Sequence, residues 1–216
     1  MDVDIPGSIE IVGRSAFTEC RSLNILTIQN GVKRIEDYAF MYNLNLTAVE
    51  LPESLEHVGR YAFSHSGLRT ATIQGNGNAS IGIYAFSGCD HLTTVTIGNG
   101  VKELIASTFS SCSSLSSVTL GNSLTYIGDN TFNSCSSLSS IVIPDSIIDI
   151  KAFAFFGCTN LSDVTIPDSV TSIERYAFAN CSNLATIVVG NSVEKIGRYA
   201  FESTNITSAL FKGKTL

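Results

Sequence analysis

Residues 127–143 read IGDNTFNSCSSLSSIVI, and the spacing of their apolar residues decides the fold. Phe132 has Ile127 five residues before it, Cys135 three after it and Leu138 six after it. Shifted by 23 residues in either direction, the same arrangement returns. Phe17, Phe40, Phe63, Phe86, Phe109, Phe132, Phe155, Phe178 and Phe201 keep that interval without a slip. Each is preceded by Ala or Thr, and an aliphatic residue stands five before it, from Val12 and Ile35 through to Ile173 and Ile196. A fixed period of this length marks a stacked repeat.

Each unit carries two inward-facing patches. The segment L-x-x-V-x-I, as in Leu92–Ile97 or Leu161–Ile166, alternates apolar and polar residues with the period of a strand buried on one face. A turn follows, Pro-Asp-Ser at 144–146 and 167–169 or Gly-Asn-Ser at 121–123 and 190–192. These residues favour turns through fixed φ, tolerance of positive φ or side-chain capping. The return segment I-G-x-x-A-F then brings an aliphatic, a small residue and the phenylalanine inward. One unit cannot bury this lining alone, so the core must run along a solenoid axis. Nine coils at about 4.8 Å each give an array on the order of 45 Å long.

At 216 residues, length alone allows one or two globular domains, and the unbroken register favours a single array over 1–216. The chain is 44% hydrophobic and only 15% charged, ample for a core. A formal charge of −6 and the lack of a basic stripe argue against a nucleic-acid partner. No apolar run approaches the length of a membrane span. The first residues, Met1-Asp-Val-Asp, carry neither the basic nor the apolar region of a signal peptide. Both ends fall within a unit and lack a polar capping repeat, so the expectation is a piece of a longer array, or a chain capped by something the repeat pattern does not reveal.

The units differ in charge. Residues 73–144 hold only three acids (Asp90, Glu103, Asp129) and one base (Lys102), and are rich in Ser and Thr. Their SSCSSLSS and NSCSSLSS runs keep the repeat's Cys and Leu in place, so they read as ordered coils. Two units break step: leucine comes one residue early at Leu68, and Ile206 is early in the last unit. Gln74 is an insertion and Asn78 stands where other units place an aliphatic, so a local bulge is expected at 66–80.

Chemistry has few candidates. Cys20, Cys89, Cys112, Cys135, Cys158 and Cys181 all lie three residues after a phenylalanine, where other units have Asn43, Ser66 and Thr204. Stacking makes them a column, within disulfide reach by distance alone. Yet adjacent strands hold side chains side by side, and the polar replacements point to a buried turn position. Buried free thiols are therefore the first reading and inter-coil disulfides the second. There is no C-x-x-C pair for zinc, and His57, His65 and His91 read as surface residues. The carboxylates do not converge, no serine has an activating context, and no phosphate loop is present, so neither an enzyme nor a cofactor is indicated. The N-x-S/T patterns at Asn45, Asn78, Asn160 and Asn205 matter only in a eukaryotic secretory pathway.

Two stripes remain outside the lining. One follows the strand: Thr70 and Thr72, Thr94 and Thr96, Ser117 and Thr119, Ser140 and Val142, Asp163 and Thr165, Thr186 and Val188. Strand propensity alone favours such residues, but they also form a wide platform for a partner. The other lies two before the phenylalanine, at Tyr38, Tyr61, Tyr84, Tyr176 and Tyr199, either as a structural ladder or as contact anchors.

Taken together, L-x-x-[VI]-x-[IL]-[PG]-[DN]-[SG]-[VIL]-x-x-I-[GE]-x-x-[AT]-F-x-x-C resembles the BspA-like leucine-rich repeat family from Ile5 to about Phe211. The resemblance implies an α/β leucine-rich-repeat horseshoe of about nine 23-residue coils. A parallel strand per coil would line the concave face, with turns or short strand or helical segments on the convex side. It further implies a secreted or cell-surface adhesin-type protein of a host-associated microbe. Such a protein would bind host matrix or cell-surface proteins, with glycan as another ligand class. The alternative function is a rigid spacer presenting another domain. The family supplies no fixed binding motif to carry over.

Overall fold

Each coil crosses the solenoid in three passes: a short strand, a turn segment carrying the phenylalanine, and a wider strand. The computed structural model describes residues 1–213. The wide strands run in parallel with repeat-matched register, Thr70 opposite Thr94 and Ile73 opposite Ile97. Their burial alternates, so Val95 and Ile97 point inward while Thr94 and Thr96 point outward. The short strands, from Ile11–Val12 and Arg34–Ile35 to Lys195–Ile196, form a second parallel column. Their second residue is the aliphatic five before the phenylalanine in most coils, buried at Ile35, Val58, Ile127 and Ile150.

Between the two columns lies one continuous core. Phe40, Phe63, Phe86, Phe109, Phe132, Phe155 and Phe178 are fully buried, while Phe17 and Phe201 at the ends are half-buried. Their rings stack face to face along the axis, from 5.0 Å between Phe155 and Phe178 to 5.8 Å between Phe109 and Phe132. Burying such a side chain stabilises by roughly 1.5–3 kcal/mol. The stacked interior is therefore the main source of stability.

The turn pass contains no helix among the described residues, so of the turn, strand or helical segments expected on the convex side it is turns and short strands that occur, and the α/β label gives way to an all-strand solenoid. The cause is an alternation in the backbone. In every coil the residues two before and two after the phenylalanine take positive φ, as at Tyr38 (59°) and Tyr42 (60°), or Asn130 (55°) and Ser134 (60°). A helix needs successive right-handed residues, and these positions break any run. They turn every second N–H along the solenoid axis instead. Tyr38, Phe40 and Tyr42 donate to the carbonyls of Arg60, Ala62 and Ser64 in the next coil, at 2.9, 2.7 and 3.0 Å. The same three bonds recur down the array. A non-glycine left-handed residue costs roughly 1–2 kcal/mol, offset by inter-coil bonds worth about 0.5–1.5 kcal/mol each.

The irregular unit at 66–80 is absorbed locally. The missing residue is taken up at Gly67, where an added Cβ would lie 2.0 Å from the Leu44 carbonyl oxygen. Thr70–Ile73 therefore stays in register with Ala48–Leu51. The extra residue is looped out beyond Gly75, Asn78 stays exposed, and Ala79 takes the inward place, fully buried.

One expected strand is absent. Ser140–Ile143 alternates exposed and buried side chains as a strand would, but no backbone hydrogen bond joins it to either neighbouring coil among the described residues. Val142 is 80% exposed. The wide sheet is thereby divided: Ala48–Leu51 through Ser117–Thr119 form four strands, and Asp163–Ile166, Thr186–Val189 and Ser208–Phe211 form three. A further division separates Asp2–Ile5 and Ile25–Ile28 from the strand at Ala48–Leu51.

Candidate functional site

The stripe along the wide strands forms two columns on one face. Thr70, Thr94 and Ser117 stand opposite one another in register, as do Thr72, Thr96 and Thr119. Asp163 faces Thr186 and Thr165 faces Val188. Thr70, Ser117, Thr119, Ser140, Val142, Asp163, Thr165 and Thr186 are exposed; Thr72, Thr94, Thr96 and Val188 are half-buried by their neighbours. Ser140 and Val142 lie on the same side but outside the ladder, so the face is two patches with a seam between them.

Across the seam the character changes. On one side the patch from Thr70 to Thr119 carries hydroxyls and no charge. On the other, a groove of about 610 Å³ runs between Ser140–Ile143 and the strand at Asp163, lined also by Asp145, Asp168 and Lys212. Lys212 Nζ reaches back to within 3.6 Å of Asp168 Oδ1. A second groove of about 340 Å³ separates Ile25–Ile28 from Ala48, Val49 and Glu50. Ile25, Thr27, Ala48, Glu50, Ser208 and Leu210 extend the same face beyond the predicted stripe. The alternation in ILTI, AVEL and SALF is the signal that finds them.

The tyrosines form a ladder. Tyr61 stacks on Tyr38 at 5.5 Å and on Tyr84 at 4.8 Å. A second ladder near the other end starts at Phe153, a rung hidden by its not being tyrosine, and continues through Tyr176 to Tyr199. Arg14, Arg60, Arg175 and Arg198 lie over Tyr38, Tyr61, Phe153 and Tyr199. The inner rungs, Tyr61 and Tyr176, have aromatic rings on both faces, which leaves their edges for any ligand.

The cysteines are unbridged. Cys20 is half-buried and the other five are buried. The thiols of Cys89, Cys112, Cys135, Cys158 and Cys181 donate to the phenylalanine carbonyl of the preceding coil, at 3.1–3.3 Å. Asn43 meets the same demand by donating to both Phe17 and Phe40 at 2.9 and 2.7 Å, and Ser66 donates to Phe63 at 2.6 Å. The column is thus a structural donor position. Burial pushes the thiols of Cys112 and Cys158 well up, and those of Cys135 and Cys181 up to about 12. These four thiols keep their protons at pH 7, which makes them poor nucleophiles.

His65 and His91 are exposed; His57 is half-buried, and burial holds its imidazole below the ordinary value. No group of three or more His, Cys, Asp or Glu side chains among the described residues is arranged to hold a metal ion. No described helix is long and apolar enough to cross a membrane. Asn45, Asn78, Asn160 and Asn205 are all exposed.

Residues 1–116 and 102–215 match the BspA type leucine-rich repeat region, which is present in 6 copies. No curated protein matches the chain. Among solved structures, a leucine-rich repeat protein from Bacteroides ovatus is 26% identical with a TM-score of 0.63, over 91% of this chain and 65% of that one. A leucine rich cell surface protein from Faecalibacterium prausnitzii is 25% identical with a TM-score of 0.56, over 99% of this chain and 60% of that one. The leucine-rich repeat protein of T. pallidum is 26% identical with a TM-score of 0.59, over 91% of this chain and 72% of that one. The chain therefore spans less than two thirds of the length of the first two. With its register, its stacked phenylalanines and its thiol column, the chain belongs to the BspA-type leucine-rich repeat family.

Proposed function

We propose that this array is a non-enzymatic protein-recognition module of a bacterial cell-surface or secreted protein. Its strand face binds a host matrix or cell-surface protein, or another cell. The observation that carries this reading is the contiguous uncharged patch of Thr70, Thr72, Thr94, Thr96, Ser117 and Thr119, carried on three adjacent strands of a four-stranded parallel sheet. Small hydroxyl side chains on a rigid sheet cost little entropy to order against a partner. The similarity to the leucine rich cell surface protein of Faecalibacterium prausnitzii supports the location. The net charge of −6 speaks against nucleic acid as the partner.

The test is a pull-down from serum or extracellular matrix, followed by substitution of Thr96→Lys, Thr119→Lys and Val142→Lys together. Binding is expected to fall at least about tenfold, because three ammonium groups would be forced into an interface core that disfavours charge. The far-UV circular dichroism should stay unchanged, since all three side chains point outward. Undiminished capture by the triple variant would overturn the assignment of the face. Glycan as ligand is read by the same variant on an immobilised glycan array.

A second reading is a spacer that presents another domain. The unbroken turn column favours it, because three bonds per coil resist bending across that column. Failure of the wild-type array to capture any partner, with a further domain in the parent gene, would favour the spacer.

A further inference from the structure

We propose that the boundary between the Phe109 and Phe132 coils is a hinge. It would let the two halves of the strand face change their angle about the continuous turn column. Both strand columns are interrupted there. In the wide column, Ser117–Thr119 is an edge and Ser140–Ile143 is unpaired. The short column breaks between Val101–Leu104 and Tyr126–Ile127, which belong to separate sheets of five and four strands. The other division of the wide sheet, before Ala48–Leu51, lacks this second break: Ile11–Val12 still pairs with Arg34–Ile35.

Side chains tell the same story. The phenylalanine stack is widest between Phe109 and Phe132, at 5.8 Å. The interior is slightly open beside the gap: Leu120 is 8% and Ile141 9% exposed, where Val95 and Leu115 are 0%. At the ladder position two before the phenylalanine, Ser107 and Asn130 replace the aromatic rungs, so the tyrosine ladders stop on either side. Inter-coil ion pairs join Glu10 to Lys33 and Glu174 to Lys195. Among the described residues none crosses this boundary. What does hold is the turn column, where Ser107, Phe109 and Ser111 donate to Asp129, Thr131 and Asn133 at 2.7, 3.0 and 2.7 Å, and the segment just after it, where the Ser137 N–H donates to the Ser113 carbonyl at 3.2 Å. On the strand side, the Asn99 side-chain carbonyl also receives the Asn122 N–H at 2.8 Å.

Bonds kept on one side and lost on the other make a leaf hinge. Opening it would separate the hydroxyl patch at 70–119 from the acidic groove at 140–169. A ligand that touches both patches would select one angle.

Hydrogen exchange followed by mass spectrometry on the full chain tests this directly. Amides in 125–128 and 140–143, which no bond across the boundary protects, should exchange about a hundredfold faster than those in 70–73 and 163–166, while Ser117–Thr119 stays protected by its bonds to the preceding coil. The turn-column amides of Phe109 and Ser111 should stay protected. Equal protection on both sides of the boundary would overturn the hinge. The paired substitution Ser107→Tyr and Asn130→Tyr completes the ladder and should slow exchange in 125–128 at least about threefold. If that variant fails to fold, the wild-type comparison still decides. The hinge stands or falls on exchange, and the binding face on the lysine variants, so either can fail alone.

Discussion

The thiol column predicts an alkaline sensitivity that can be worked through at Cys135. Burial raises its thiol from the ordinary 9.0 to about 12, and Cys181 is raised likewise. Between those values the unfolded chain gives up the proton while the folded chain keeps it. The stability is therefore complete below about pH 9 and falls as pH rises toward 12. At about pH 10.5 the loss is about 2 kcal/mol for each such thiol, from ~1.4 kcal/mol per pH unit. Total stabilities of ~5–15 kcal/mol make that a large fraction. Tyrosines ionise in the same range, so the clean measurement is a difference between wild type and Cys135→Ala. At pH 7 the variant should be less stable by about 1–2 kcal/mol. It loses the bond to the Phe109 carbonyl, 3.3 Å away, and leaves a small void. Urea unfolding followed by far-UV circular dichroism should show that gap closing or reversing by about pH 10.5. A gap constant from pH 8 to about 10.5 would refute the reasoning.

Other substitutions probe the remaining columns. Tyr61→Gly should be more stable than Tyr61→Ala by about 1 kcal/mol in urea, because both lose the ladder but only glycine releases the strain of φ 55°. Gly88→Ala should cost about 1–3 kcal/mol: φ is +68° and the new Cβ would lie 2.4 Å from the His65 ring. Adding His65→Ala should recover part of it, and a neutral Gly88→Ala would refute this packing. Phe132→Ala should lose about 3–5 kcal/mol, and Phe17→Ala clearly less, since Phe17 is half-buried with a ring partner on one side. Equal urea midpoints for the two would contradict a continuous core.

The register of the chain determined the inner lining. Ile127, Phe132, Cys135, Leu138, Ile141 and Ile143 all point inward in the fold, as their spacing requires. The reason is physical: a repeat that stacks on itself must bury the same positions in every coil, so periodicity is enough to name them. The outward strand positions were legible by the same alternation. Less legible was the turn pass, where tyrosine and phenylalanine occupy left-handed positions that local preference would give to glycine. Stacking across coils favours them, and stacking partners are 23 residues away, beyond any local signal.

The 127–143 stretch marks the limit. Its letters place Ser140 and Val142 on a strand, and its apolar spacing is that of every other coil. Whether the strand closes its bonds depends on the separation of coils, which the whole stack sets through its rings, turns and neighbours. There the phenylalanine spacing reaches 5.8 Å and the ladder opens. Sequence alone determined what lies inside this protein. Only the tertiary structure decided where the outer face is continuous and where it parts, because hydrogen bonds answer to distance and not to pattern.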